Sequence, residues 1–405
     1  MTDDGLLAER LRRIRRENAL TQEELAHRSG ISQVMIAKIE QGQRQPRLPI
    51  LTRLASALDV PLSELLDNRP RLGARTEGSA SILAIRDALL SPSQLPGIDL
   101  ADDGEPAALS LLGAGLAEAA RLYWAGSFAG LASMLPALIG EGRLASQPVS
   151  AAASSLLAQT YDLAAAIMVH MGKEDLAALA AERAITAATA SNDELLHATL
   201  EGTYAWVLLH QGRLAEAEQL AVTVADRIEP SFSAPVKHVA VWGHLLTTAL
   251  APAAAAGRDV SQYIALASAG AERLGQPVKA YVGQSAFGPA SVQEQACHAY
   301  AVTRDPARAL AAARKIGDGD LAGIAYGRHL LDVAQAHADA RRPAAATAVL
   351  SQARDVSPVW FRHQGIARTL VADLVEQHKR LSPALRELAA SIDPDWYAPY
   401  HRRLN

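Results

Sequence analysis

Residues 19–66 read ALTQEELAHRSGISQVMIAKIEQGQRQPRLPILTRLASALDVPLSELL, and this stretch decides the fold of the N-terminal part of the chain. Thr21 opens a T-Q-E-E capping box, in which its hydroxyl accepts from a backbone amide and Glu24 reaches back to the start of the helix. That helix ends at Gly30, and Ser32 begins the next one. Because only the residues from Gly30 to Ser32 join the two helices, we expect a tight turn and a steep angle between them.

The same signals extend to five short helices within residues 1–68. Apolar residues at helical spacing predict a first helix that contains Leu7, Leu11 and Ile14. The remaining helices are expected to start at Thr21 and to cover residues 33–41, 49–58 and 62–66. The Pro-, Gly- and Arg-rich segment that follows has no periodicity, so we expect a linker over residues 69–80.

Beyond residue 80 the chain is a series of Ala- and Leu-rich stretches at helical spacing, and none resembles a strand. Turn signals recur roughly every 37–48 residues, a period typical of helical hairpins. They lie at Gly126, Gly172, Gly212, Gly257, Arg304–Pro306 and Arg341–Pro343. The clearest hairpins are residues 195–230 and 322–358, in which Ala205, Ala217, Ala334 and Ala346 mark close helix contacts. We therefore predict an all-α chain whose residues 81–405 form a superhelical array with a concave surface.

Composition narrows the class of protein. A net charge of −4 does not suit a general basic coat for nucleic acid, so any DNA contact needs a local basic surface. The single cysteine, Cys297, excludes an intramolecular disulfide and fits a reducing compartment. The N-terminus lacks an apolar signal segment, and no stretch matches the uncharged apolar length of a membrane span. We expect a cytoplasmic protein without a membrane contact.

The N-terminal stretch resembles the XRE, or Cro/phage-repressor-like, family of helix-turn-helix regulators. The matching positions are Thr21–Ala26, Gly30–Ser32, Ile36, Ile39, Glu40, Gly42, Pro46, Leu54, Ala55, Ala57, Leu58 and Val60. The resemblance implies a domain that binds double-stranded DNA and places the helix over residues 33–41 in the major groove.

The residue types of that helix suit base recognition. Gln33 can pair with adenine, Val34 can meet a thymine methyl group, and Lys38 can reach guanine or phosphate. The resemblance assigns Gln22 to a phosphate contact that also steadies Gln33. The predicted DNA-contacting residues are Gln22, Ser32, Gln33, Val34, Lys38 and Arg44. Since a carboxylate would repel phosphate, we expect Glu40 to pair with a basic residue of the same domain, such as an arginine of the first helix.

The C-terminal part resembles the tetratricopeptide-like sensor half of many actinobacterial XRE regulators. The matches are Phe287–Pro289 with Val292, Asp305–Pro306 with Ala309 and Leu310, and the helix Arg328–Ala334. The family turn often reads FGP-x-N-V, whereas this chain has Ser291 at the fifth position of that turn. We expect the segment to be a turn between repeats that buries Phe287.

An interior rich in Ala, Leu and Trp favours a small, largely apolar effector. Pheromone receptors of the tetratricopeptide type clamp peptides with Asn side chains, and this array has only Asn192 besides the terminal Asn405. Peptide capture by an Asn ladder is therefore disfavoured. The candidate ligand-binding residues are Trp206, His210, His238, Trp242 and Tyr281, each of which could equally be a core or rim residue.

The sequence has no HExxH, CxxC, GxSxG or Walker motif, so we predict no catalytic residue, metal site or cofactor. The expected function is sequence-specific transcriptional regulation by a homodimer that reads an inverted-repeat operator and responds to an effector in the array. The alternative is a DNA-binding scaffold whose helical repeats bind a protein or peptide partner.

Overall fold

The computed structural model describes residues 7–8, 11–12, 14–16, 18, 20–44, 46, 48–58, 60, 78–92, 106–147, 149–378 and 380–392. The chain forms two compact units, Met1–Arg71 and Leu72–Asn405. Within the described residues every regular element is a helix, apart from one isolated antiparallel bridge between Val278 and Phe287. The predicted all-α class is confirmed.

The first unit contains the expected helix-turn-helix pair. Helix α1 spans Gln22–Ser29, α2 spans Gln33–Glu40 and α3 spans Leu48–Ala57, while residues 7–8, 11–12 and 14–16 are also helical. The capping box at Thr21 is formed, and Gly30 ends α1 with a φ of 63°, in the left-handed region that favours glycine. The predicted fifth helix, residues 62–66, lies outside the described residues.

One apolar cluster holds this unit together. Ile36 and Ile39 of α2 are completely buried, as predicted for the inner face of that helix, and they pack with Leu25 of α1 and Leu54 of α3. Burial of such side chains stabilises a small domain by roughly 1.5–3 kcal/mol each. The other face of α2 is left free of the core.

The second unit is an array of sixteen helices within its described residues. They are α4 Gly78–Leu89, α5 Leu109–Trp124, α6 Phe128–Ala145, α7 Ala151–His170, α8 Glu174–Thr189, α9 Glu194–His210, α10 Leu214–Arg227, α11 Val236–Ala255, α12 Ser261–Leu274, α13 Pro289–Val302, α14 Pro306–Ala313, α15 Gly323–Asp339, α16 Pro343–Val356, α17 Pro358–His363, α18 Gly365–Glu376 and α19 Pro383–Ile392. Most of the predicted linker, residues 69–80, lies outside the described residues, and residues 78–80 already belong to α4.

The hairpin period is confirmed at every predicted turn. A residue of positive φ joins the two helices of each pair, and these residues are Gly126, Gly172, Gly212, Gly257, Arg304 and Arg341. The alanines predicted at close helix contacts are buried to 0 or 1% exposure in both of the clearest hairpins. Small side chains at these places let neighbouring helices approach closely.

The first hairpin of the array, α5 and α6, contacts the last one, α15 and α16. The Ser357 hydroxyl donates to the carbonyl oxygen of Gly126 at 3.4 Å. Gly323 has a φ of 55°, and a Cβ atom there would overlap the carbonyl oxygen of Trp124. A glycine is therefore required at position 323 both by its backbone conformation and by the closeness of α5.

The connection between α12 and α13, residues 275–288, crosses to the start of the array. The Val282 amide donates to Gln159 at 3.1 Å, and the Trp124 indole donates to the carbonyl oxygen of Gly283 at 3.2 Å. Phe287 at its end is buried, as predicted for this turn, and the Ser291 hydroxyl caps α13 by hydrogen bonds of 2.9 Å with Gly288. The serine thus retains a polar contact at this position.

Helix α7 is the one described helix that has the length and apolar composition of a membrane span. However, 78% of its most apolar window is buried inside the array. It is packed as the central core helix of the second unit.

Candidate DNA interface and effector cavity

The outer face of α2 presents the predicted base-reading side chains. Gln33, Val34 and Lys38 are exposed, and 65% of the surface of Val34 is accessible. Ser32 caps the helix by accepting from the Met35 amide at 3.3 Å. Arg44 is also exposed after the helix. Side chains of these types can read base edges or contact phosphates.

Behind this face a buried ion pair joins the first helical segment to α2. Arg15 donates to both carboxylate oxygens of Glu40, at 2.7 and 2.9 Å, and also to the carbonyl oxygen of Leu20 at 2.7 Å. Arg12 donates to the backbone oxygen of Glu40 at 2.8 Å. The expectation that Glu40 pairs with an arginine of the first helix is confirmed.

Gln22 belongs to the same network. Its amide donates to Glu40 Oε2 at 2.8 Å, and among the described residues no hydrogen bond joins it to Gln33, which the family resemblance had implied. Burial raises the pKa of Glu40, but the hydrogen bonds from Arg15 and Gln22 outweigh it, so the net pKa is lowered. Glu40 is therefore a charged structural anchor of the motif.

The second unit contains a cavity of about 500 Å³ on the concave side of the array. The first helices of successive hairpins, α5, α7, α9, α11, α13 and α15, all contribute to its wall, as do residues 283–285 of the crossing connection. Its volume is that of a pocket for a small organic molecule. We call it the effector cavity.

An aromatic series forms one wall of the effector cavity. His170 of α7 lies between Tyr123 and Trp206, with ring centroids 5.8 Å away from each, and Trp206 is followed by His210 at 4.7 Å. The Tyr123 hydroxyl lies 3.2 Å from His170 Nε2. Burial lowers the pKa of His170 to about 3, so this imidazole is neutral at physiological pH.

The wall of the effector cavity also carries polar groups, which make the cavity amphipathic. Asp162 of α7 is 5% exposed. Gln284 donates to its Oδ2 at 2.7 Å, while its Oδ1 has no hydrogen-bond partner among the described residues. Burial raises the pKa of Asp162 to about 6, although the side chains of Thr203 and Gln284 oppose this shift. A buried carboxylate oxygen without a partner costs free energy, so a donor from a ligand would be favoured there.

A second polar group lies on α13 and α15. Arg328 and His298 both contact Asp332 Oδ1, at 3.3 and 3.0 Å. Burial opposes ionisation of Asp332, but Arg328 and His298 lower its pKa overall. Beside them, burial and the charge of Asp332 raise the pKa of Glu294 to about 8, which leaves Glu294 protonated at neutral pH.

Two of the five ligand-binding residues predicted from the sequence, Trp206 and His210, line the cavity. The other three lie elsewhere. His238 contacts the Ile228 carbonyl oxygen at 2.7 Å, Trp242 packs near Gly270, and Tyr281 donates to Asp193 at 2.7 Å. These three have packing or bonding roles outside the cavity wall.

The sequence reasoning missed Asp162, His170 and Glu294. Asp162 is the one charged residue of α7, and a lone carboxylate in an apolar helix was a usable signal. Asn192, considered for peptide capture, instead adopts a φ of 55° in the turn between α8 and α9. Within the described ranges no group of three or more His, Cys, Asp and Glu residues is placed to hold a metal ion.

Comparisons with known proteins agree with the N-terminal geometry. A family model described as "Helix-turn-helix" matches residues 11–65. An uncharacterized HTH-type transcriptional regulator, y4dJ of Sinorhizobium fredii, is 44% identical over 61 residues, which are 15% of this chain and 79% of the relative. The capped helix pair, its exposed polar face and these matches define a helix-turn-helix DNA-binding protein. The chain belongs to the family of HTH-type transcriptional regulators.

Solved structures show only a distant likeness. Bacillus thuringiensis PlcR, in complex with the peptide PapR7 and DNA, has a TM-score of 0.29 and 14% identity, with 67% of this chain and 96% of that chain covered. The apo form of the competence regulator ComR from Streptococcus vestibularis has a TM-score of 0.25 and 11% identity, with 93% and 99% covered. At this distance neither structure bears on the ligand of this chain.

Proposed function

We propose that this transcriptional regulator is controlled by a small molecule that binds in the effector cavity and changes its affinity for an operator. The observation that carries the proposal is the cavity itself, which is built from the inner helices of six hairpins and contains a buried carboxylate oxygen with no hydrogen-bond partner among the described residues. The charged groups of the wall revise the expected effector from largely apolar to amphipathic. The control requires unequal effector affinity in the DNA-binding and released states.

The regulator acts in the cytoplasm as a homodimer in this proposal. The exposed face of α2 is one recognition helix, and a single such module buries too little surface for operator specificity. Two copies reading half-sites one helical turn apart imply an inverted-repeat operator. The proposed contacts are Ser32, Gln33, Val34 and Lys38 at the bases or nearby backbone, with Gln22 and Arg44 at phosphates.

Footprinting tests the DNA-binding part. The full-length protein is titrated on the DNA upstream of its own and neighbouring genes at stated salt, beside a Gln33→Ala/Lys38→Ala variant. We expect a two-fold-symmetric protected site that the variant loses, because each base contact contributes about 1–3 kcal/mol. A Ser56→Ala variant is the matched control, since Ser56 is exposed on α3 and is not among the predicted contacts.

A cavity-filling substitution tests the sensor part. Ala166 lines the effector cavity, so Ala166→Trp should block binding of an effector found by screening and should abolish its effect on operator affinity. Ala215 is exposed on α10, and Ala215→Trp should retain the response. If no screened compound that binds the protein alters operator affinity, the sensor proposal is wrong.

The alternative function is a scaffold that binds a protein partner, and one observation favours it. Phe232 is 97% exposed, yet its loop is fixed because Arg273 donates to the carbonyl oxygens of Ser231, Phe232 and Ala234. A rigid exposed aromatic side chain is a typical anchor of protein interfaces. Under this alternative, Phe232→Ser abolishes partner binding while the effector response is unaffected.

A further inference from the structure

The chemistry of the effector is constrained by the charges that line its cavity, and this inference rests on the proposed function. Asp162, Ala166 and His170 follow one another at intervals of four residues, so they share one face of α7. On α9, Thr203, Trp206 and His210 form the adjoining stripe. Asp162 and the aromatic series therefore lie on the same two-helix wall, where Thr203, beside Asp162, is about 5 Å along α9 from Trp206.

Charge compensation differs between the carboxyl groups of the cavity. Asp332 has Arg328 at 3.3 Å and His298 at 3.0 Å. Glu294 is protonated at neutral pH because burial and Asp332 raise its pKa to about 8. Asp162 has only the neutral amide of Gln284 and the side chain of Thr203 around it, and the nearby His170 and His244 are neutral because burial lowers their pKa values to about 3 and 4.

In the part of the chain that the structure describes, Asp162 is thus a buried carboxylate on the cavity wall without a cationic partner. Its pKa of about 6 means that it is mainly ionised at neutral pH. A buried charge of this kind is stabilised most by an opposite charge that also donates hydrogen bonds. Trp206 and Tyr123 present aromatic rings close by, and such rings attract both cations and apolar groups.

We infer that the effector is a small organic amine whose ammonium group donates to Asp162 Oδ1 while its apolar body packs against the aromatic series around Trp206. The spacing along the wall suits an amine separated from a ring by a short alkyl chain. The positive charge of Arg328 does not oppose this, because it is compensated by Asp332.

Three probes that share one carbon skeleton and differ in the charge of their terminal group test the inference. Binding of 4-phenylbutylamine, 4-phenylbutanol and 4-phenylbutyrate to the full-length protein is measured at pH 7.5 by ligand-observed NMR. We expect the amine to bind at least about tenfold more tightly than the alcohol, because a charge-assisted hydrogen bond is stronger than a neutral one. The carboxylate should bind more weakly than both.

The variant Asp162→Asn keeps the shape of the side chain and removes its charge. It should weaken amine binding by about tenfold and leave alcohol binding within about twofold. Asp226→Asn, at an exposed position of α10, is the control and should change neither value. Thermal melting of both variants checks that they are folded, and the comparison of probes on the unmodified protein needs no variant.

Equal affinity for amine and alcohol, a preference that persists in Asp162→Asn, or no binding of any probe would each overturn the inference. Operator affinity is measured in the same titrations, so that a failure of the amine inference can be distinguished from a failure of the proposed sensor function. If the amine binds through Asp162 while operator affinity is constant, the sensor function fails and the amine site stands. If the alcohol alone shifts operator affinity, the sensor function stands and the amine inference fails.

Discussion

Replacing Glu40 by glutamine removes the charge from the buried network that joins the first helical segment to α1 and α2. The Glu40 side chain is 1% exposed and that of Arg15 is 10% exposed, so solvent cannot replace the lost interaction. Breaking a buried pair on one side costs about 3–5 kcal/mol. Glutamine keeps one acceptor oxygen, so we expect the free energy of unfolding to fall by about 3 kcal/mol, near the lower limit of that range.

Amide hydrogen exchange is the suitable assay. All five tryptophans lie beyond residue 120, so intrinsic fluorescence does not report on the first unit. A loss of about 3 kcal/mol lowers the protection of amides in α1 and α2 by about a hundredfold. Glu23→Gln, a substitution at an exposed position of α1, should change the free energy of unfolding by no more than about 0.5 kcal/mol. If Glu40→Gln changes protection less than about threefold, the network does not stabilise the motif and the reasoning is wrong.

The same pair gives a pH dependence of defined sign. Because the folded pKa of Glu40 lies below the ordinary glutamate value of 4.5, its ionised form stabilises the fold above that pH. The stabilisation is lost as the pH falls through the lowered pKa. Protection of α2 amides should therefore decrease below about pH 4.5 in the unmodified protein, and this step should be absent in Glu40→Gln.

Two further outcomes concern the array. Gly323→Ala should lower the melting temperature of the second unit more than Gly319→Ala. Both glycines have positive φ, but only a Cβ atom at position 323 would overlap a backbone oxygen, that of Trp124. Equal shifts of the melting temperature, measured by calorimetry, would contradict the close contact. Without ligand, Asp162→Asn should stabilise the second unit by up to about 3 kcal/mol at pH 7.5 and little at pH 4. The sign follows because a carboxyl group whose folded pKa is raised lowers the stability of the fold as the pH rises from about 4 to about 6. A denaturation midpoint that does not depend on pH in either protein would refute this prediction.

Local signals were sufficient for the first unit and for the period of the second. The capping box at Thr21, the left-handed Gly30 and the apolar Ile36 and Ile39 act through interactions within a few residues or within one small core, so the sequence specifies them directly. The hairpin turns were readable for the same reason, since glycine or a polar residue is needed wherever φ is positive. The pairing of Glu40 followed from electrostatics alone, because a carboxylate on a DNA-reading helix needs a cation.

Only the tertiary structure decided what faces the effector cavity. Asp162 and Gln284 are 122 residues apart in sequence, and Gly126 and Ser357 are 231 apart, so no local pattern relates them. Trp242 and Tyr281 are aromatic residues in an apolar array like Trp206, but the packing of α11 and of the connection between α12 and α13 places them outside the cavity wall. The sequence determined that the chain is an HTH-type regulator with a helical-hairpin array. The packing of that array determined which carboxylate is buried from solvent and which aromatic rings surround it, because burial depends on the summed packing of distant helices.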